Sequence, residues 1–291
     1  MDYLVRAIDK DGFVKISAVT TKNLVEKARI THNLSKTATA ALGRTLSIGA
    51  IMGEWLKNEE DSITLNIKGD GEIGRIVVVG KNDGTVKGYV DNPSADLPAR
   101  QSDGKIDVGG IVGKGTLTVV TDMGLKEPYV GKTNLVNGEI AEDFANYFYK
   151  SEQIPTVVSL GVLVDVDYTV KQAGGFVLQL MPGAGEEVIS KIEENLKYLP
   201  SCTTMLNNGL NPKDIINKVL NGFELKFLED KTLSYKCSCS KDKVESALIS
   251  LGKNEIKDII KEDKKAEVKC YFCNKVYNFS EEELKEMLNN M

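Results

Sequence analysis

Apolar residues recur with two different periods along this chain. Over residues 1–182 short alternating runs dominate. Residues 2–9 and 13–19 predict two strands split by Lys10-Asp11-Gly12, a hairpin turn. Ile63, Leu65 and Ile67 alternate with Thr64, Asn66 and Lys68, as in a half-buried strand. Residues 74–80 read as a continuous apolar strand, Asn82-Asp83-Gly84 as a turn, and 86–90 as the hairpin partner. Further strands are expected over 117–121, 160–166 and 176–181. Helical spacing predicts helices over 24–32 (capped from Thr20 or Thr21), about 35–57, and 139–150. In the second of these, Ala41, Leu42, Leu46, Ile48, Ile51, Met52 and Trp55 recur at three and four. Small residues beside them let the helix lie close against a sheet. Residues 91–115, rich in Gly, Pro, Asp and Ser, predict a long exposed loop. Hairpins prevail over regular strand–helix alternation, so the fold class is α+β, with a mixed α/β hairpin-rich N-terminal domain over 1–182.

The period changes near Pro182-Gly183. Residues 186–199 put Ile189, Ile192, Leu196 and Leu199 on one helical face, and Asn211-Pro212 opens a helix with Ile215, Ile216, Val219 and Leu220 on its apolar side. This helical middle linker segment, 183–230, is too short to bury its apolar faces alone. It either packs onto the N-terminal domain as ordinary core or serves as a detachable cover over hydrophobic surface. A small C-terminal unit, 231–291, is expected to hold helices over 241–251 and 255–261. A last helix is opened by the capping box Ser280-Glu281-Glu282-Glu283. Few aromatic residues serve its core, and a metal would stabilise it.

A net charge of −5, with 42% hydrophobic and 27% charged residues, describes an ordinary soluble globular chain and argues against a nucleic-acid-binding surface. No apolar run reaches the roughly 18–20 residues of a membrane span. The start, Met1-Asp2-Tyr3-Leu4-Val5-Arg6, lacks the basic and apolar regions of a signal peptide, so a cytoplasmic location is expected. In that compartment, closely spaced cysteines point to metal or redox chemistry. The single histidine, His32, rules out sites built from several imidazoles. It lacks the partners of zinc-deaminase and metalloprotease signatures and reads as a helix-end or surface residue.

Several motifs are discarded. Gly69-Asp70-Gly71-Glu72-Ile73-Gly74 matches a dinucleotide fingerprint, but a strand follows it where a helix is required. Gly109-Gly110-Ile111-Val112-Gly113-Lys114-Gly115 resembles a phosphate loop, yet Val108 and Gly115 stand where glycine and a hydroxyl residue are needed. Asp165 and Asp167 read as solvent-facing carboxylates on a strand. No nucleophile elbow or Ser/His/Asp set is available, and the chain is read as a non-enzyme.

Four cysteines carry the chemistry. They read Cys237-Ser238-Cys239 and, thirty residues later, Cys270-Tyr271-Phe272-Cys273. Two close pairs suit one tetrahedral ion, and zinc takes four thiolates at about 2.3 Å. The same spacing also lets each pair close into its own disulfide. Cys270-x-x-Cys273 lies between short strands, as in a zinc knuckle turn, whereas a thioredoxin-type pair opens a helix. Cys202 stands apart and reads as a packing or surface cysteine. A structural zinc site is the plain reading. Thiolates are also the form that oxidants attack, and losing about 10 kcal/mol of metal-derived folding energy would unfold so small a unit.

On these residues the chain resembles the 33 kDa chaperonin family, the redox-regulated heat-shock holdases, over essentially its full length. The resemblance rests on Cys237, Cys239, Cys270 and Cys273 by type, order and spacing. Gly69–Gly74 with its following strand supports it, as do Thr121-Asp122-Met123-Gly124 with Pro128-Tyr129, and Gly174-Gly175-Phe176 with Met181-Pro182-Gly183. It implies an ATP-independent chaperone whose reduced form binds one Zn2+ through the four cysteines and is inactive. It further implies that oxidation forms the disulfides Cys237–Cys239 and Cys270–Cys273, releases zinc, unfolds the C-terminal unit and loosens the middle segment. The active protein is then a homodimer that holds unfolding clients, with no nucleic-acid or membrane partner. Two other readings remain from the residues alone: a constitutive zinc-ribbon module for nucleic acid or protein, and a disulfide-exchange enzyme at Cys270/Cys273.

Overall fold

The alternating runs become hairpins. The computed structural model describes residues 1–291, which form two compact units, Met1–Lys236 and Cys237–Met291. In the first, strands β1 (Tyr3–Asp9) and β2 (Val14–Thr20) precede helices α1 (Lys22–His32) and α2 (Lys36–Glu54), then the meander β3 (Ser62–Gly69), β4 (Arg75–Lys81) and β5 (Thr85–Val90). A short helix α3 (Val108–Val112) leads to the hairpin β6 (Gly115–Asp122) and β7 (Tyr129–Asn134). Helix α4 (Ala141–Tyr147), a π-helical turn (Phe148–Glu152) and the hairpin β8 (Thr156–Val164) and β9 (Val170–Leu180) follow. Helices α5 (Glu186–Lys197), α6 (Cys202–Asn207) and α7 (Pro212–Val219) and short strands β10 (Leu225–Phe227), β11 (Lys231–Thr232) and β12 (Ser234–Tyr235) complete the unit. The segment 183–230 thus belongs to the first unit.

Two sheets form, and the class is α+β. One has the order β10-β1-β2-β9-β8, with β11 also on β1. The other runs β12-β5-β4-β3-β6-β7. Only the β12–β5 pairing is parallel. Helix α2 lies between the sheets, buried on nearly every side. Its small residues make this possible. A Cβ on Gly80 would lie 2.2 Å from the Gly49 carbonyl oxygen, so the helix and β4 touch backbone to backbone.

The first sheet buries apolar residues on both faces. Val19, Ala173 and Val177 face α2, whereas Val5, Val14, Ile16, Phe176 and Leu178 face the other way. That outer face is covered by the middle helices. Helix α7 lies on β1 and β2 through Ile215, Ile216 and Val219, and α6 lies on β8 and β9 through Cys202, Met205 and Leu206. The helical faces visible in the sequence therefore have a definite counterpart.

Some expectations change. The segment 91–115 contributes core: Ala95 is buried, and α3 buries Val108, Ile111 and Val112. This short helix packs against the glycine segment that imitates a nucleotide motif. A Cβ on Gly69 would meet the Val112 carbonyl oxygen at 1.8 Å, and the Gly71 amide donates to that same oxygen. The helix expected over 139–150 is α-helical only to Tyr147. Asp165 and Asp167 sit in the turn between β8 and β9, where their carboxylates accept from the Val166 and Thr169 amides. His32 is buried, and its Nε2 donates a 2.8 Å hydrogen bond to the Tyr235 hydroxyl, which itself donates to the Gly88 carbonyl.

Helix α4 is held by one buried carboxylate. Asp143 accepts from the Val136, Asn137 and Gly138 amides through Oδ1 and from the Ile140 amide through Oδ2. This bracket holds Ile140 at φ +75°, a left-handed conformation costly for a β-branched residue. Asp143→Ala is expected to destabilise the first unit by about 3 kcal/mol, since it orphans several buried donors. Denaturant unfolding followed by fluorescence measures the loss.

The second unit contains α8 (Lys241–Ile249), α9 (Lys253–Glu262), the hairpin β13 (Lys265–Lys269) and β14 (Val276–Ser280), and α10 (Glu281–Asn290). The capping box is present: Ser280 Oγ accepts from the Glu283 amide, and Glu283 Oε2 accepts from the Ser280 amide. Only Leu248, Ile256, Tyr277, Phe279, Leu284 and Met287 form its buried core. No helix of either unit is long and apolar enough to cross a membrane.

Candidate metal centre

All four sequence-predicted ligands come together in the second unit. Cys237 and Cys239 lie in the extended stretch before α8, whose start is capped by the Ser240 side chain. Cys270 and Cys273 lie in the turn between β13 and β14. There the Cys270 amide donates to the Lys275 carbonyl at 2.9 Å, the Asn274 amide donates to the Cys270 carbonyl at 2.8 Å, and Asn274 takes φ +60°. This is the tight turn that aims two thiols in one direction.

The four Sγ atoms lie within 4.8 Å of one another. The Cys237–Cys270 separation is 3.8 Å and the Cys239–Cys273 separation is 3.4 Å. A tetrahedron with metal–sulfur bonds of about 2.3 Å has edges of about 3.8 Å, so the donor set fits zinc in type, number and spacing. Tyr277 supports it from outside: its hydroxyl donates to Cys239 Sγ at 3.1 Å while its ring packs in the small core. Such partners orient the ligand they touch. Sequence reading missed Tyr277. Its signal was its place on β14, four residues past Cys273.

The thiols differ in acidity when taken by themselves. Burial acts to raise Cys239, but hydrogen bonds from Tyr277 and the neighbouring thiols bring it down to about 7. Burial and hydrogen bonding to Cys239 and Cys270 push Cys273 up to about 12. Burial raises Cys237 as well. At neutral pH a cation therefore displaces protons from at least Cys237 and Cys273. Protons compete with the metal, so its apparent affinity should rise with pH, by about a hundredfold or more per unit for two displaced protons. Competition against a chelator of known affinity, between mildly acidic and neutral pH, measures this slope. A flat profile contradicts it.

The remaining candidate residues stand elsewhere. Cys202 is buried in the first unit beneath the middle helices, where burial pushes its thiol up to about 12; it is an inert packing cysteine. His32 is in the first unit too.

Comparison with known proteins agrees with this architecture. A family model described as Hsp33 protein matches residues 2–280. The 33 kDa chaperonin of Clostridioides difficile (strain 630) is 51% identical over 291 residues, covering 100% of this chain and 99% of the relative. That of Clostridium perfringens (strain 13) is 47% identical over 288 residues, covering 99% and 90%. The crystal structure of the 33 kDa chaperonin (heat shock protein 33 homolog) from Thermotoga maritima superposes with a TM-score of 0.88 at 42% identity, over 99% of this chain and 98% of that one. The fold and the four-sulfur site thus define a heat-shock chaperone. The chain belongs to the Hsp33 family.

Proposed function

We propose that the chain is an ATP-independent holdase switched by oxidation at Cys237, Cys239, Cys270 and Cys273. The observation that carries this reading is the meeting of four thiols in a unit whose own core is six buried side chains. A zinc ion held there would keep all four sulfurs as thiolates and supply folding energy on the order of 10 kcal/mol. The protein residues do the rest. Two molecules of peroxide take four electrons from the four thiols, giving two disulfides and four waters. A disulfide needs sulfurs at about 2.05 Å, well inside the 3.4 and 3.8 Å contacts, which run between the two motifs. Closing Cys237–Cys239 and Cys270–Cys273 therefore pulls the cluster apart and leaves no thiolate for a cation.

With the cross-link gone, Cys237–Met291 lacks the apolar burial to stay folded. The middle segment then loosens, and the outer face of the first sheet becomes available to unfolding clients. The oxidised protein acts as a cytoplasmic homodimer in this reading. A peroxide and mild-heat assay tests it. Treated protein should release one zinc per chain and suppress light scattering from a denatured client, while reduced protein should do neither. Metal that resists peroxide would instead favour a constitutive zinc-ribbon module.

A further inference from the structure

A polar row crosses the inner face of the first sheet. Lys15 on β2 pairs with Gln179 on β9, and Gln179 pairs with Thr156 on β8. Two residues along each strand the same face carries Ser17, Val177 and Val158, and the next position on β2 is the buried Val19. Strand alternation thus points Lys15 and Gln179 toward the side of the sheet occupied by α2. Neither is compensated there. Gln179 is 2% exposed; its Nε2 donates to Thr156 Oγ1 at 3.4 Å, and its Oε1 has no partner. Lys15 is in no ion pair, and burial lowers its pKa. Its Nζ lies 5.5 Å from the centre of the Trp55 ring, a cation–π distance.

These groups border a cavity of about 250 Å3. Trp55, Phe148 and Tyr147 form its aromatic wall, with ring centres 5.7 Å and 5.6 Å apart in sequence along the wall. Glu152 lines it as well and accepts from the Tyr147 hydroxyl at 2.7 Å. The backbone that presents Phe148 and Glu152 is the π-helical turn, a rare geometry that recurs at functional sites. Gln153 ends that turn in the left-handed region at φ +57°. An apolar aromatic body, one cation and one unsatisfied acceptor are the components of a small-molecule site.

We propose that this cavity binds a compact aromatic carboxylate carrying an N–H or O–H donor, the class that includes aromatic amino acids and hydroxyaryl acids. Its carboxylate pairs with Lys15, its ring packs against Trp55 and Phe148, and its donor serves the unpaired Gln179 Oε1. The volume admits one ring with a short polar chain. This site is separate from the cysteine switch and does not depend on it.

Trp55 is the only tryptophan, so its emission reports on the site directly. The reduced, metal-loaded full chain is titrated with L-phenylalanine and 4-hydroxyphenylacetate, and with phenethylamine, which has the ring but no carboxylate. At least one carboxylate should give a saturable change and phenethylamine none. Lys15→Met and Gln179→Leu should each weaken the response about tenfold or more, the scale of a lost charge-assisted or buried hydrogen bond. Melting temperature and zinc content of both variants are measured alongside. If a variant proves unstable, the contrast between the two carboxylates and phenethylamine on the wild type decides the matter. No saturable change with either carboxylate at millimolar concentration overturns the proposal. So does equal binding of phenethylamine, or a folded Lys15→Met or Gln179→Leu chain that titrates like wild type.

Discussion

Stripping the metal from the reduced protein should unfold Cys237–Met291 and leave the sheets of residues 1–182 folded. The cysteine pairs lie on two segments of the second unit that are far apart in sequence: the stretch before α8 and the β13–β14 turn. Without a shared ion, neighbouring sulfurs at 3.4 and 3.8 Å offer each other only weak thiol hydrogen bonds. What remains is a two-stranded sheet, three helices and six buried side chains. A lone hairpin is marginal in water, and helices of ten residues do not stand alone. Against this, structural zinc supplies on the order of 10 kcal/mol, comparable to the entire stability of a domain. In an amide correlation spectrum, signals of 237–291 should collapse to random-coil positions on chelation while those of 1–182 keep their dispersion. Cys239→Ser should mimic chelation. A C-terminal unit that stays dispersed without metal would remove the basis of the proposed switch.

Breaking the cover on the first sheet should switch on client binding with no oxidant present. Ile216 is fully buried on α7, against the face formed by Val5, Val14 and Ile16. Truncating such a residue costs about 2–5 kcal/mol, and burying a carboxylate in its place costs more. Ile216→Asp is therefore expected to release α7 while leaving the metal centre, which contains no residue of the middle segment, fully loaded. Zinc should remain at one per chain. Suppression of client aggregation by the reduced variant should approach that of oxidised wild type. The milder Ile216→Ala should shift activation to lower temperature. If Ile216→Asp exposes apolar surface to a hydrophobic dye yet protects no client, this face is not where clients bind.

The four-cysteine cluster was legible in the chain because each pair is set by a local motif. C-x-C and C-x-x-C each bring two sulfurs together locally, and a four-thiolate set is recognised from them, although the closest contacts, Cys237–Cys270 and Cys239–Cys273, join one motif to the other. The same holds for the Ser280 capping box, the β1–β2 and β4–β5 turns, and the helical spacing of α2 and α7. Elements with weak or short patterns escaped. β7 turns only Gly131 and Thr133 inward, so no apolar alternation marks it, and α6 is six residues long. The π-helical turn continues the spacing of α4 and differs from it only in hydrogen bonding.

What the middle helices cover, by contrast, was open. Their apolar faces called for a partner, but only strand order shows that the partner is the second face of a sheet already buried on its first. His32 shows the same limit. Its lack of sequence neighbours excluded a catalytic set, yet its burial and its bond to Tyr235, 203 residues away, follow from pairing of β12 with β5. Lys15, Thr156 and Gln179 are ordinary strand residues in a linear reading and become a polar row only through the β2–β9–β8 register. Residue type and spacing determined what chemistry the chain carries and where helices and hairpins start, since those depend on contacts a few residues apart. Which faces meet, which polar groups end up without a partner, and what lies beneath the cover were decided by long-range packing, because burial is a property of the assembled sheets and not of any one segment.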